Sequence, residues 1–154
     1  MDRFSSIHGT GIYIKNSGSS EKYLKSLSNS KYVKFMGQLS EADLIKQYKD
    51  CKALIITQRE DFGITSLEAQ SFGKPVIAYN SGGSKETVIQ SETGLFFDKQ
   101  ESDSLATVLK KFEFAHFDAE KCIIQANKFT KARFKKDLLN LVSYKWNNHQ
   151  KNFT

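Results

Sequence analysis

Hydrophobic and polar positions alternate along this chain in two rhythms. Short apolar or β-branched runs recur as GIYIK (Gly11–Lys15), YVKFM (Tyr32–Met36), ALIIT (Ala53–Thr57), PVIAY (Pro75–Tyr79) and GLFF (Gly94–Phe97). The runs at 53–57 and 75–79 are apolar throughout and bounded by polar residues, as expected of central parallel strands buried on both faces. Helical periods fill the intervals. Residues 21–27 place Tyr23, Leu24 and Leu27 inward, and Ser40 caps a helix with Leu44, Ile45 and Tyr48 on one face. Asp43 stands three residues after Ser40, where a capping box puts its acid. Further helices are predicted at about Gly63–Phe72, closed by Gly73 and Pro75, at Ser84–Ile89, and at Ser102–Phe112 with Leu105, Val108, Leu109 and Phe112 on one stripe. Two more, near Ala119–Asn127 and Lys131–Tyr144, close the chain. Turns fall at Ser17–Ser20 and Asn80–Gly83. The order is βαβαβαβαβ followed by helices. It predicts an α/β fold with a Rossmann-like parallel sheet flanked by helices.

Length fits this picture, because 154 residues suit one domain. With 12 Phe and 6 Tyr a sizeable core is expected, and disorder over most of the length is excluded. Two cysteines are too few for a disulfide framework or a four-thiolate zinc site. Cys51 and Cys122, with no histidine adjacent to either, read as small buried hydrophobes rather than nucleophiles. No apolar run approaches the roughly 20 residues of a membrane span, and the polar first ten residues do not resemble a signal peptide. The expectation is a cytoplasmic protein.

Charge divides the chain. The net value is +6, yet residues 1–120 carry −1 and residues 121–154 carry +7, with Asp137 the one acid in that tail. A basic amphipathic tail suits anionic lipid, nucleic acid or an acidic neighbour, and a solvated helix face is the plainer alternative. Because 20 of the 23 cations are Lys, planar recognition of bases is disfavoured. Nucleic acid is therefore not expected as a partner, whereas peripheral contact with the inner face of a membrane is.

Two loops at the carboxyl ends of the strands bring chemistry, where ligands of open α/β sheets bind. The first, with Glu60, Asp61 and Phe62, leads into a helix whose opening amides at Gly63, Ile64 and Thr65 suit phosphate. Glu68, further along, can accept hydrogen bonds from a diol such as ribose. The second loop is Ser81-Gly82-Gly83-Ser84, whose glycines permit close backbone approach. Taken singly, each is more often structural: an acid favourable to a helix dipole, or a plain turn. Lys85 could reach a phosphate, although a solvated lysine is the simpler reading. No GxGxxG follows a strand, so a dehydrogenase is disfavoured.

Taken together, REDFGITSLEAQSFGKPVIAYNSGGSKETV and the later TGLFF resemble the carboxyl half of retaining GT-B glycosyltransferases of group 1 (family 4). The matching marks are Glu60 and Glu68 around Phe62-Gly63, then Glu68-Ala69, Gly73-Lys74-Pro75-Val76, and Gly82-Gly83 with Glu86. The EDFG, KPVIAY and GLFF forms look most like the mannosyltransferase branch of polysaccharide assembly. YVKFMGQLSEADLIKQYKDCKALI is similar to the family's strand–Gly–helix–strand approach, so the resemblance covers about residues 11–112, with the helices at about 119–149 similar to its closing helices. It implies one half of a GT-B fold that binds a nucleotide-sugar such as GDP-mannose or a UDP-sugar. By position, Glu60 would face the hexose as the catalytic residue, Glu68 the ribose, and Gly63, Ile64 and Thr65 the phosphates, with Phe62 among the donor-binding residues. Met36 and Gly37 would lie beside the base, and Gly82 and Gly83 would border the donor.

The resemblance also implies metal-independent transfer to a glycan or lipid-linked acceptor, in keeping with the lack of an Asp-x-Asp. No cofactor is expected. The family's Arg and Lys on the first strand and loop of this domain have no counterpart here, nor has its acceptor domain with a histidine. His8 matches no family position and reads as a surface residue before the first strand, and NSGSS stands loosely for the glycine-rich turn. The chain by itself is accordingly expected to be inactive, since two lost cations opposite a diphosphate cost more than about a hundredfold in rate. A non-catalytic remnant, or a module that binds a partner polypeptide, is the alternative.

Overall fold

The structure, a computed structural model, describes residues 4–8, 11–15, 21–28 and 31–151. The expected turn at 17–20 and the whole of NSGSS lie outside them. Among the described residues six strands form one sheet: β1 (Phe4–His8), β2 (Gly11–Lys15), β3 (Val33–Phe35), β4 (Ala53–Ile56), β5 (Val76–Tyr79) and β6 (Gly94–Phe97). The helices of the described residues are α1 (Glu21–Leu27), α2 (Glu41–Asp50), α3 (Ile64–Ser71), α4 (Ser84–Thr87), α5 (Ser102–Glu113), α6 (Ala119–Asn127) and α7 (Lys131–Lys151).

The spatial order is β3-β2-β1-β4-β5-β6. β2 pairs with β3 in parallel (Ile12 opposite Val33), as do β4 with β5 and β5 with β6. β1 runs antiparallel to both neighbours, with Ile7 opposite Ile12 on one side and Ala53 on the other. The other five strands therefore all point one way. The expected parallel sheet flanked by helices is present in β2–β6, and β1 is an additional, reversed strand at its centre. FSSIH was not predicted because two adjacent serines break the period of two. His8 ends β1 opposite Gly11, so it belongs to the sheet rather than preceding it.

β4 is buried at every position, as its continuous apolar run requires. Its two faces belong to two cores. Leu54 and Ile56 pack with Tyr48, Ala69, Val76, Ala78 and Val88 beneath α2 and α3. Ala53 and Ile55 pack with Ile77, Leu95, Phe97 and Val108 beneath α5, whose stripe of Leu105, Leu109 and Phe112 lies half-buried as predicted. Ser40 caps α2: its Oγ accepts from the Asp43 amide at 3.2 Å and donates to Asp43 Oδ2 at 2.6 Å, a hydroxyl–carboxylate bond in place of the capping box's return bond to the Ser40 amide.

Several inward assignments fail near the β3 edge. Tyr23 and Leu27 of α1 are 64% and 65% exposed, and Ile45 of α2 also faces out. The three-residue β3 offers these helices little surface, shorter than the expected Tyr32–Met36. Both cysteines are buried, as expected. Burial pushes the Cys51 thiol up to about 11, and burial with nearby Asp118 does the same for Cys122.

Candidate functional site

Because β2–β6 are mutually parallel, their carboxyl ends share one edge of the sheet, and the loops after β3, β4 and β5 emerge there. The loop after β4 is stitched to the turn after β5. Glu60 bridges to Gly82, and the Gly83 amide donates to the Glu60 carbonyl at 2.8 Å. The two glycines make this approach sterically possible. A Cβ at Gly82 would strike the Glu60 carbonyl oxygen, and one at Gly83 would strike the Phe62 backbone. The double glycine thus brings one loop against the other, a packing role that its sequence reading as a ligand-facing turn did not include.

The two acids of interest then diverge in setting. The Glu60 side chain, half-buried, accepts from Gln58 Nε2 at 2.6 Å. Gly63, in the left-handed region with φ of 86°, turns the chain sharply into α3, and no side chain caps that end. The opening amides of α3 and the positive end of its dipole are consequently available to an anion. Glu68 lies on the exposed side of α3, where Tyr48 Oη donates to its Oε2 at 2.7 Å. Tyr48 is 3% exposed, and its ring stacks on Phe72 at 5.7 Å and 9°. The Glu68 carboxylate is thereby aimed by the core beneath it.

A buried polar network fixes α3 against α4. Ser66 Oγ lies 2.6 Å from Thr87 Oγ1 and 2.7 Å from the Gly63 carbonyl, and Thr87 Oγ1 donates to the Gly83 carbonyl at 3.2 Å. Gln70 Nε2 donates to the carbonyls of Ser66 and Thr87, and Gln125 Nε2 from α6 reaches those of Glu86 and Thr87. None of Tyr48, Gln58, Thr87, Gln70 and Gln125 was singled out for a site from sequence. Gln70 alone gave a signal, as a polar residue four places from Ser66 on a core-facing helix.

An open groove of about 1060 Å³ flanks α3, lined by Phe62, Ile64 and Glu68 with Glu86, Gln125 and Phe129 and by the start of α7. Phe62 meets Phe129 edge to face at 5.8 Å. Of the expected residues, Phe62, Ile64 and Glu68 share this groove, while Glu60, Gly82 and Gly83 form the loop pair above the sheet. Met36 and Gly37 stand at the end of β3, three strand spacings from β4, or about 14 Å. Lys85 is exposed on α4.

A family model described as glycosyl transferases group 1 matches residues 8–129. An alpha-1,3/1,6-mannosyltransferase of Neurospora crassa is 32% identical over 114 residues, which is 72% of this chain and 24% of the relative. A GDP-mannose-dependent monoacylated alpha-(1-6)-phosphatidylinositol monomannoside mannosyltransferase of Corynebacterium glutamicum is 36% identical over 108 residues, or 64% of this chain and 28% of the relative. The chain thus spans about a quarter of the length of these relatives. Among solved structures, the apo form of the lipopolysaccharide outer core galactosyltransferase WaaB superposes with a TM-score of 0.73 at 22% identity, over 86% of this chain and 40% of that one. Anabaena HepE in complex with UDP-glucose gives 0.62 at 24% identity, over 82% and 38%. At that identity the two structures show a shared fold.

Proposed function

Since this chain belongs to the group 1 glycosyltransferases, we propose that it is the donor-binding half of a retaining hexosyltransferase, moving mannose from a nucleotide-sugar to a glycan or lipid-linked acceptor. One observation carries the reading: Glu60 and Glu68 flank the uncapped start of α3, each held by a hydrogen bond from a neighbouring side chain. A carboxylate aimed from below suits the hydroxyls of a ribose, and free helix amides suit a diphosphate. In this reading Glu68 binds ribose, Gly63, Ile64 and Thr65 meet the phosphates, and Glu60 faces the hexose. Gly82 and Gly83 border the donor, and Met36 and Gly37 lie beside the base at the other end of the same sheet edge.

The choice of mannose rests on relatives named as mannosyltransferases, one of them GDP-mannose-dependent by name. Amides and dipole take the place of a metal at the leaving diphosphate. An acceptor-binding half completes the enzyme, so the chain alone binds donor without turnover.

Thermal unfolding with GDP, UDP, ADP and their sugars tests this. A ligand at one hundred times its Kd adds about 2.7 kcal/mol, or several degrees of Tm. The expected result is a shift confined to one base, unchanged by EDTA and abolished by Glu68→Ala. Equal shifts in parent and variant would remove the ribose role, and no shift with any nucleotide would overturn the donor reading.

A further inference from the structure

The opposite edge of the sheet carries a second cavity, of about 790 Å³, at the other end of the strands from Glu60 and Gly82. It lies where β4 and β5 begin and α5 ends, and it shares no lining residue with the groove along α3. Its size falls within the roughly 300–1,000 Å³ of small-molecule sites. Ile7 and Ile12 stand opposite each other on β1 and β2, on the face that α5 covers over β4, β5 and β6. The stripe of α5 reaches them with Leu109 and Phe112, yet both isoleucines stay half-buried. Phe117, in the connection to α6, stacks on Phe112 with ring centres 5.5 Å apart and planes 20° apart. The floor of the cavity is therefore aliphatic and aromatic.

Charge gathers on one wall. Leu54 pairs with Val76, and the same parallel register carried back two residues sets Lys52 beside Lys74, about 4.8 Å apart from strand to strand. Both backbones are fixed there. The Lys52 amide donates to the Ile7 carbonyl at 2.6 Å and the Lys74 amide to the Ala69 carbonyl at 3.0 Å. Among the described residues neither ammonium group belongs to an ion pair, and like charges side by side repel. Asp50 and Glu113 also line the cavity, at the ends of α2 and α5, without pairing with either lysine. Cys51 lies on the same wall and registers the balance: at its thiol the influence of Lys74 outweighs the opposed influence of Asp50. The wall is positive above an apolar floor. An amine would meet two ammonium groups, a wholly apolar ligand would leave them unpaired, and inorganic phosphate would leave the floor bare. An amphipathic anion matches both.

We propose that this cavity binds a small organic anion with a flat apolar body and one carboxylate, sulfonate or phosphate. The body lies against Phe112 and Phe117, and the anionic group sits between Lys52 and Lys74. The site does not depend on the donor reading, since it uses no residue of that edge.

The probe is 1-anilinonaphthalene-8-sulfonate, whose emission rises in apolar surroundings, and its partner is N-phenyl-1-naphthylamine, the same ring system without the sulfonate. The full chain, labelled with nitrogen-15, is titrated with each and followed by emission and by amide chemical shifts. The expected result is one saturable sulfonate site, with shifts at Lys52, Lys74 and residues 115–117. The double variant Lys52→Gln, Lys74→Gln should bind the sulfonate about tenfold more weakly and the naphthylamine as the parent does. Its Tm and nucleotide response should match the parent's, and Lys52→Arg, Lys74→Arg, which keeps both charges, should bind both probes normally. That pattern separates a lost anion contact from a lost fold. Unchanged sulfonate affinity in the Gln variant would overturn the proposal, as would equal losses for the two probes. Shifts confined to the exposed apolar residues of α7 in the parent would place the probe on that helix and overturn it as well.

Discussion

Glu68 is exposed to solvent while the group that orients it is buried. Tyr48 gives up its hydroxyl to that carboxylate rather than to water, and its ring is fixed by Phe72. Tyr48→Phe keeps the ring in the core and removes only the donor. The expected outcome is a loss of about 1 kcal/mol or less in stability, with nucleotide affinity weakened severalfold, as read by calorimetry. An unchanged affinity would mean that Glu68 needs no support. This residue also marks the limit of the sequence. Glu60, Phe62-Gly63, Glu68 and the double glycine are legible because their spacing is local and their residue types are chemically restricted. Tyr48 is not, because its partner stands 20 residues away and its place on the apolar stripe of α2 gives no hint that its hydroxyl is used.

α3 and α4 depend on each other at the level of elements. α4 is four residues long, too short to persist without outside support, and Thr87 supplies much of it by meeting Ser66 and the Gly83 carbonyl while its own carbonyl receives Gln70 and Gln125. Thr87→Val has nearly the same shape and cannot make the hydroxyl bonds. It should cost about 1–3 kcal/mol, because Ser66 and the Gly83 carbonyl lose a buried partner, and the measurement is a fall of several degrees in Tm. Element type and order were legible where apolar runs are long: β4, β5, β6, α5 and α6 fall where their patterns put them. The apolar pattern predicts α7 only as far as Tyr144, yet the helix continues to Lys151. Beyond Trp146 the residues are polar, and hydrophobic period carries no information where nothing is buried.

For the whole molecule, every buried hydrophobic side chain among the described residues lies between Tyr48 and Cys122. Both thiols sit in that region, raised from an ordinary 9.0 to about 11. The folded state therefore holds its two thiol protons more tightly than the unfolded chain. Their contribution to stability is fully present below pH 9 and is lost as pH rises toward 11. Denaturation midpoints measured across this range should fall, and the fall should shrink in Cys51→Ala and Cys122→Ala, each compared with its own value at pH 7. Topology was the least legible level. Apolar runs indicate that a strand is buried and are silent on its direction, so nothing in FSSIH announced a reversed strand between β2 and β4.

That strand is also a seam. β2 and β3 reach the rest of the sheet only through the five residues of β1, while β4, β5 and β6 are joined directly to one another. Met36 and Gly37 stand on one side of the seam and Glu68 on the other. A nucleotide that touches both would act as a tie across it, so that part of its binding energy becomes cohesion between two halves of the sheet, and occupancy and sheet integrity become a single linked equilibrium.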